Sequence, residues 1–170
     1  MKPDPSLLDD VVAAKVLDAM RLASNVLTGL GVRHVVVGGL AVSAFGNPRA
    51  TKAVDFLVGD EAFEHLADGF VSMKPGVPIE VNGVAIDLVS VRQGEEHLAS
   101  ALNAPMGSMI EAPQLVYMKL KSPRLKDWAD VVELVKAGID IEACRRYLAA
   151  HAAALLGVFE DLVRKAAAEE

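Results

Sequence analysis

The sequence has a single cysteine, Cys144. That excludes an intrachain disulfide and a cysteine-ligated zinc cluster, and it suits a reducing compartment. Its four histidines, His34, His65, His97 and His151, show no HxH or HxxxH spacing, so no histidine metal site is expected. Positive charge is in deficit, with Lys and Arg at 17 against Asp and Glu at 23, a formal net charge of −6. Such a balance argues against broad, non-specific nucleic-acid binding. It leaves room for a local basic patch. No apolar run is long enough to cross a bilayer, so no membrane span is expected. The N-terminus, MKPDPSLLDD, lacks an apolar signal-peptide core, and a cytoplasmic location is the expectation. There is no Walker A motif, no GxGxxG and no GxSxG. Internal repeats, linkers and low-complexity tracts are missing too, apart from alanine enrichment near the C-terminus.

What remains is a chain of 170 residues, 52% of them apolar, enough for one domain with a sizeable core. One stretch organises the rest: His34 to Val58, HVVVGGLAVSAFGNPRATKAVDFLV. Val35-Val36-Val37 is short and β-branched, as a buried strand is. It runs into Gly38-Gly39, then a small-residue helix from Leu40 to Phe45 closed by Gly46. A basic turn, Asn47 to Lys52, leads to a second strand, Val54 to Val58, which carries Asp55. Glycines let backbone approach a phosphate closely, and helix N-terminal N–H groups point at one.

Around this stretch the periodicity predicts a helix over 6–30 with Ser6 as N-cap and one apolar stripe: Leu8, Val12, Val16, Met20, Ala23, Leu27 and Leu30. Gly29 and Gly31 end it. A helix over about 60–69 is expected, with Phe63, Leu66 and Ala67 inward, then a turn at Lys74–Pro78. Asn82-Gly83 is a strong two-residue hairpin signal between Ile79–Val81 and Val84–Val89, and the second arm carries Asp87. Helices follow at Glu95–Leu102, 112–121, about 124–136, Asp140 to about Ala150, and onward to the C-terminus. In the 124–136 helix, Leu125, Trp128, Ala129, Val132 and Val135 form the expected buried stripe. The fold class expected is α/β (α+β): a small mixed sheet flanked by helices over about 30–110, with a helical C-terminal part over about 111–170, in one domain.

The 34–58 stretch resembles the signature of the nucleotidyltransferase-fold superfamily, the DNA polymerase β-like group. Its nearest variants are the minimal nucleotidyltransferases and the AbiEii-type toxin relatives. The matching residues are Gly38-Gly39-Leu40-Ala41, Arg49-Ala50-Thr51 and Asp55. A second stretch, Lys119-Leu120 through Arg124, Lys126, Asp127 and Asp130, resembles the basic and acidic run found further along the same proteins. The resemblance covers about residues 34–135. It implies Asp55 and Asp87 as catalytic, metal-ligating carboxylates and Mg2+ or Mn2+ as the cofactor. It implies Gly38, Gly39, Arg49, Thr51, Lys119 and Asp127 as nucleotide-binding residues. An NTP would be the donor, and the acceptor (a protein, an RNA end or a small molecule) is unspecified. A cognate partner protein of toxin–antitoxin type is implied by the resemblance alone.

The pattern is broken at one position. Where it has Asp-Val-Asp, this chain reads Ala53-Val54-Asp55. A methyl group supplies no ligand and no charge to offset a divalent cation. Three explanations stay open: a degenerate family member, an introduced substitution, or another residue in place of the missing carboxylate. Two functions stay open with them: an enzyme transferring a nucleoside monophosphate, and a non-catalytic module that binds nucleotide or protein. Plainer roles compete for single residues as well. Asp55 could pair with Arg49, Asp87 could face solvent from an edge strand, and Arg124–Asp127 and Lys126–Asp130 could be ordinary helix-surface pairs.

Overall fold

A computed structural model describes residues 1–9, 12–46, 50–64 and 79–169. Arg49, Leu66, Ala67 and the Lys74–Pro78 turn lie outside the described residues.

The 6–30 segment is divided. Asp4, not Ser6, is the cap: its carboxylate accepts the Ser6 N–H at 3.0 Å and opens a 3-10 turn over Pro5–Leu8. Proline at the first helical position and a short acceptor before it favour this earlier start. Helix α1 begins only at Ala14 and ends at Gly29, with Gly31 at φ +72 turning the chain away. The predicted stripe still packs, since Leu8, Val12, Val16, Ala23 and Leu27 are buried.

Strand β1 is His34–Val37, helix α2 is Gly38–Ala44, and strand β2 is Ala53–Val58. After β2 comes a 3-10 turn, Asp60–Phe63, at the start of the helix expected over about 60–69, of which 65–69 lie outside the described residues. Strands β3 (Ile79–Val81) and β4 (Val84–Ser90) form the expected hairpin. Asn82 and Gly83 both take positive φ, 50 and 81, as a two-residue hairpin turn requires. The sheet order is β1-β2-β4-β3, with β2 and β4 parallel and the other pairs antiparallel. The outer side of β1 is covered by 107–110: Val36 N–H donates to Ser108 O and Ile110 N–H to Val36 O.

Glu96–Asn103 is a 3-10 helix rather than an α-helix. Helices α3 (Ala112–Leu120), α4 (Leu125–Ala137), α5 (Ile141–His151) and α6 (Leu156–Ala168) then build the C-terminal part, with a 3-10 turn at Ala153–Leu155 interrupting the alanine-rich segment. Gly138 is left-handed at the end of α4, and Asp140 caps α5 by accepting the Ala143 N–H. The mixed α/β architecture with a helical C-terminal part is therefore the one expected. No helix among the described residues is long and apolar enough to cross a membrane.

The period of two in β2 sorts its side chains onto two faces. Val54, Phe56 and Val58 pack with Ile86, Leu88 and α1 in one apolar cluster. Leu57, with Val35 and Val37, packs into a second cluster built by α3, α4, α5 and α6. Ala53 and Asp55 share that second face, so β2 aims its carboxylate toward the helical C-terminal part.

Candidate functional site

Because β2 and β4 are parallel and in register, Asp55 stands beside Asp87 and Ala53 beside Ala85. Register partners in adjacent strands project to the same face. The two aspartates that the resemblance assigns to one metal site are therefore neighbours. Val37 lies opposite Asp55 on the other flank, and the chain turns into α2 there. Gly38, at φ +67, sits against the carboxylate: a Cβ added there would fall 2.2 Å from Asp55 Oδ2. Both the left-handed backbone and the contact demand glycine at this position.

Above these groups is a cleft of about 390 Å³, lined by Gly38, Gly39, Thr51, Asp55 and Asp87 on one side and Lys119, Arg124, Lys126 and Asp127 on the other. Of the site residues expected from the sequence, all but Arg49 line it; Arg49 is outside the described residues. The Thr51 hydroxyl oxygen is buried with no hydrogen-bond partner among the described residues. An unsatisfied buried hydroxyl costs about 1–3 kcal/mol, so its presence in a cleft marks a place for a ligand or water.

Asp55 holds its proton unusually well. Burial, a hydrogen bond with Asp87 and the Asp87 charge push its carboxyl up to about 6, against the weaker pull of Lys119 and Arg124. A divalent cation bound beside this carboxyl would displace the Asp55 proton. Among the described residues no cluster of three or more His, Cys, Asp or Glu could hold a metal. Asp55 and Asp87 together offer hard oxygen donors. They suit a cation such as magnesium that retains several waters.

The raised carboxyl gives a pH-dependent stability with a definite sign. The folded state keeps a proton that the unfolded chain has released, so this contribution falls as pH rises from about 4 to about 6 and stays lost above that. The loss is on the order of 2–3 kcal/mol. Metal-free Asp55→Asn protein should lack this loss and, relative to the parent, gain stability between pH 4 and pH 7. Urea unfolding of both proteins at several pH values measures the difference. Parallel curves would show that Asp55 titrates normally.

No protein-family model matches the chain, and no curated protein matches it. Among solved structures it is similar to an antigenic nucleotidyltransferase-like protein from Paracoccidioides brasiliensis. The TM-score is 0.49 and the identity 11%, covering 88% of this chain and 94% of that one.

The helical wall of the cleft differs from the sequence reading. Lys119 Nζ donates to Asp127 Oδ1 at 3.2 Å and to Asp130 Oδ2 at 2.9 Å. The three side chains are only 9%, 2% and 10% exposed. Asp130 is thus a buried partner of Lys119, not half of a surface pair with Lys126. Arg124 Nε donates to Asp127 Oδ2 at 2.8 Å, the expected i, i+3 pair, and Ser122 Oγ donates to the same oxygen. Burial opposes ionisation of Asp127, but these hydrogen bonds and the Lys119 charge outweigh it and hold the carboxyl below its ordinary value. Trp128 fixes the turn between α3 and α4 by donating Nε1–H to Ser122 O at 3.0 Å.

The sequence missed this network because its buried stripe on α4 was only partly right: Val132 is buried and Val135 packs against the core, as expected, but the stripe left out the aspartates. Leu125 is 81% exposed and Ala129 is exposed, whereas Asp127, Asp130, Val131 and Leu134 are buried. That set has i, i+3, i+4, i+7 spacing, the signature of an inward face, once aspartates count as candidates for burial. Lys52 was read from the sequence only as part of the basic turn. It lines the cleft directly after Thr51.

Proposed function

We propose that this chain is a nucleotidyltransferase-like protein that holds a nucleoside triphosphate and a divalent cation in the Gly38–Asp55–Asp87 cleft. The observation that carries this reading is the pairing of Asp55 and Asp87 on one sheet face, against a glycine whose left-handed backbone and close contact with Asp55 disfavour a side chain. Nucleotidyl transfer asks little else of a protein than to position phosphates and metal. Asp55 and Asp87 would hold Mg2+ or Mn2+, which supplies charge stabilisation on a phosphoryl oxygen. Gly38 and Gly39 leave room for close backbone approach. Thr51 offers its unpartnered hydroxyl to a phosphate oxygen. Lys119 and Asp127 shape the opposite wall. The acceptor is a protein, an RNA end or a small molecule, and a toxin–antitoxin partnership of AbiEii type is one setting for it.

A second reading rests on Ala53. With two carboxylates in place of three, the site could bind nucleotide or a partner protein without transferring anything. Thermal-shift titration with magnesium or manganese and each NTP tests binding, and labelled-nucleotide transfer into protein, RNA and small-molecule acceptors tests catalysis. Stabilisation that is lost in Asp87→Asn supports the site. Transfer selects the enzyme, and binding without transfer selects the module. No stabilisation by any NTP with either metal would sink the enzyme and the nucleotide-binding module, leaving only a module that binds a partner protein.

A further inference from the structure

Outside the cleft lining, one side-chain cluster is built around a half-buried histidine, His97. It lies in the 3-10 helix Glu96–Asn103 and meets both α3 and α5. The Tyr117 ring from α3 touches it edge-on, with centroids 4.5 Å apart, and the Tyr147 ring from α5 does so at 5.3 Å. His151, the last residue of α5, stacks on it at 4.8 Å with the planes only 16° apart. The Tyr147 hydroxyl is hydrogen-bonded to His97 Nδ1. Beside the ring, Tyr117 O–H donates to Glu95 Oε2 at 2.7 Å, and Lys121 Nζ donates to the same oxygen. The titratable and charged groups that face His97 are thus Glu95 and Glu96 from its own segment, Tyr117 and Lys121 from α3, and Tyr147 and His151 from α5.

This setting favours a neutral ring. A neutral imidazole can accept the Tyr147 O–H at Nδ1, whereas an imidazolium has no acceptor and would turn that proton away. The phenol keeps its proton, since burial and the Glu95 charge push it up to about 12. An imidazolium would also meet the Lys121 ammonium and lie on a second titratable ring. Glu95 and Glu96 favour the charged form. Glu95 is already tied to Tyr117 and Lys121, however, and Glu96 accepts the Gly94 N–H at 3.0 Å. Burial first, then His151, lowers the His97 pKa below its ordinary 6.5 despite these two carboxylates.

We propose that His97, clasped by Tyr147 and His151, is an acid-opened latch that holds the 3-10 helix Glu96–Asn103 against α3 and α5. Its release would loosen α3 at Tyr117 and Lys121, which flank Lys119 of the cleft wall. The sign follows from linkage: the open segment takes up a proton more readily than the closed one. The latch is therefore fully held above about pH 6.5 and weakens as pH falls below that. Asp55 acts the other way, since its proton uptake stabilises the folded chain as pH falls. The latch does not depend on what the cleft binds.

The test is NMR of the full chain from about pH 7.5 to about pH 5, following the His97 imidazole and the amide hydrogen exchange of residues 98–103, corrected for intrinsic rates. His97 should titrate below 6.5. Opening of 98–103 should rise severalfold toward acid, while opening of α1 does not. In His97→Gln, whose amide oxygen can still accept from Tyr147, opening should be independent of pH. In His151→Gln the rise should be smaller than in the parent. A His97 that titrates at or above 6.5, or a parent whose 98–103 segment opens no more in acid, overturns the proposal. An equal rise in His97→Gln, or a rise shared by α1, assigns the response to other groups and overturns it as well. Should His97→Gln fail to fold, the parent titration and the His151→Gln comparison decide.

Discussion

Replacing Lys119 with methionine should lower the melting temperature by about 10 °C. The side chain is of similar length, so packing is largely kept and the change isolates the charge. It leaves Asp127 without its 3.2 Å partner and Asp130 without its 2.9 Å partner, in a site that water barely reaches. Removing one side of a buried ion pair costs about 3–5 kcal/mol, because the stranded carboxylate must stay buried and charged or take up a proton. A chain of this size loses about 2–4 °C per kcal/mol. Arg124 and Ser122 still reach Asp127, which places the expected loss at the lower end of that energy range. Adding Asp127→Asn and Asp130→Asn to Lys119→Met should restore much of the stability, since the triple variant keeps none of the three buried charges. Thermal or urea unfolding of the two proteins measures both effects. A shift of under about 3 °C in the single variant would show that the network is solvated and that Lys119 is free to bind ligand.

Ala53→Asp should make the protein markedly more responsive to metal. Ala53 lies two residues before Asp55 on the same face of β2, level with Ala85 on β4. A carboxylate there joins Asp55 and Asp87 without any change of backbone. In metal-free protein at neutral pH it should cost about 1 kcal/mol, as a third like charge enters the group. Magnesium or manganese removes that cost and gains a hard ligand. Tightening of the metal site by 10- to 100-fold stabilises the folded state by about 1.4–2.7 kcal/mol in excess metal, or several degrees beyond the parent's shift. Transfer of labelled nucleotide should rise with it. Thermal-shift titration compared between the two proteins, followed by the transfer assay, decides the matter. Equal metal shifts with no transfer in either protein would mean that the site departs from catalysis at more than one position, and the binding-module reading would stand alone.

The local elements were legible because they depend on neighbours along the chain. The β-branched run Val35–Val37, the Asn82-Gly83 turn, and the Gly138 and Asp140 signals around the end of α4 each act within a few residues. Boundaries were less secure where two local signals compete, as at Asp4-Pro5-Ser6, where the earlier acceptor capped a short turn and delayed α1 to Ala14. Asp55 and Asp87 could be named as acids that would be costly to bury in apolar strands. That they stand side by side was implied by the family resemblance and by no local signal, because a parallel pairing joins segments separated by the whole of 59–83, and a shift of one residue would have sent them to opposite faces. The fate of Lys119 was settled in the same way. Its partners are 8 and 11 residues away on another helix, and only the turn pinned by Trp128 brings α4 across to meet it. The sequence by itself determined which residue types were available for anion and metal binding. The tertiary structure decided which of those charges are spent on one another and which face the cleft, because a charge's partners are set by three-dimensional proximity and burial rather than by position in the chain.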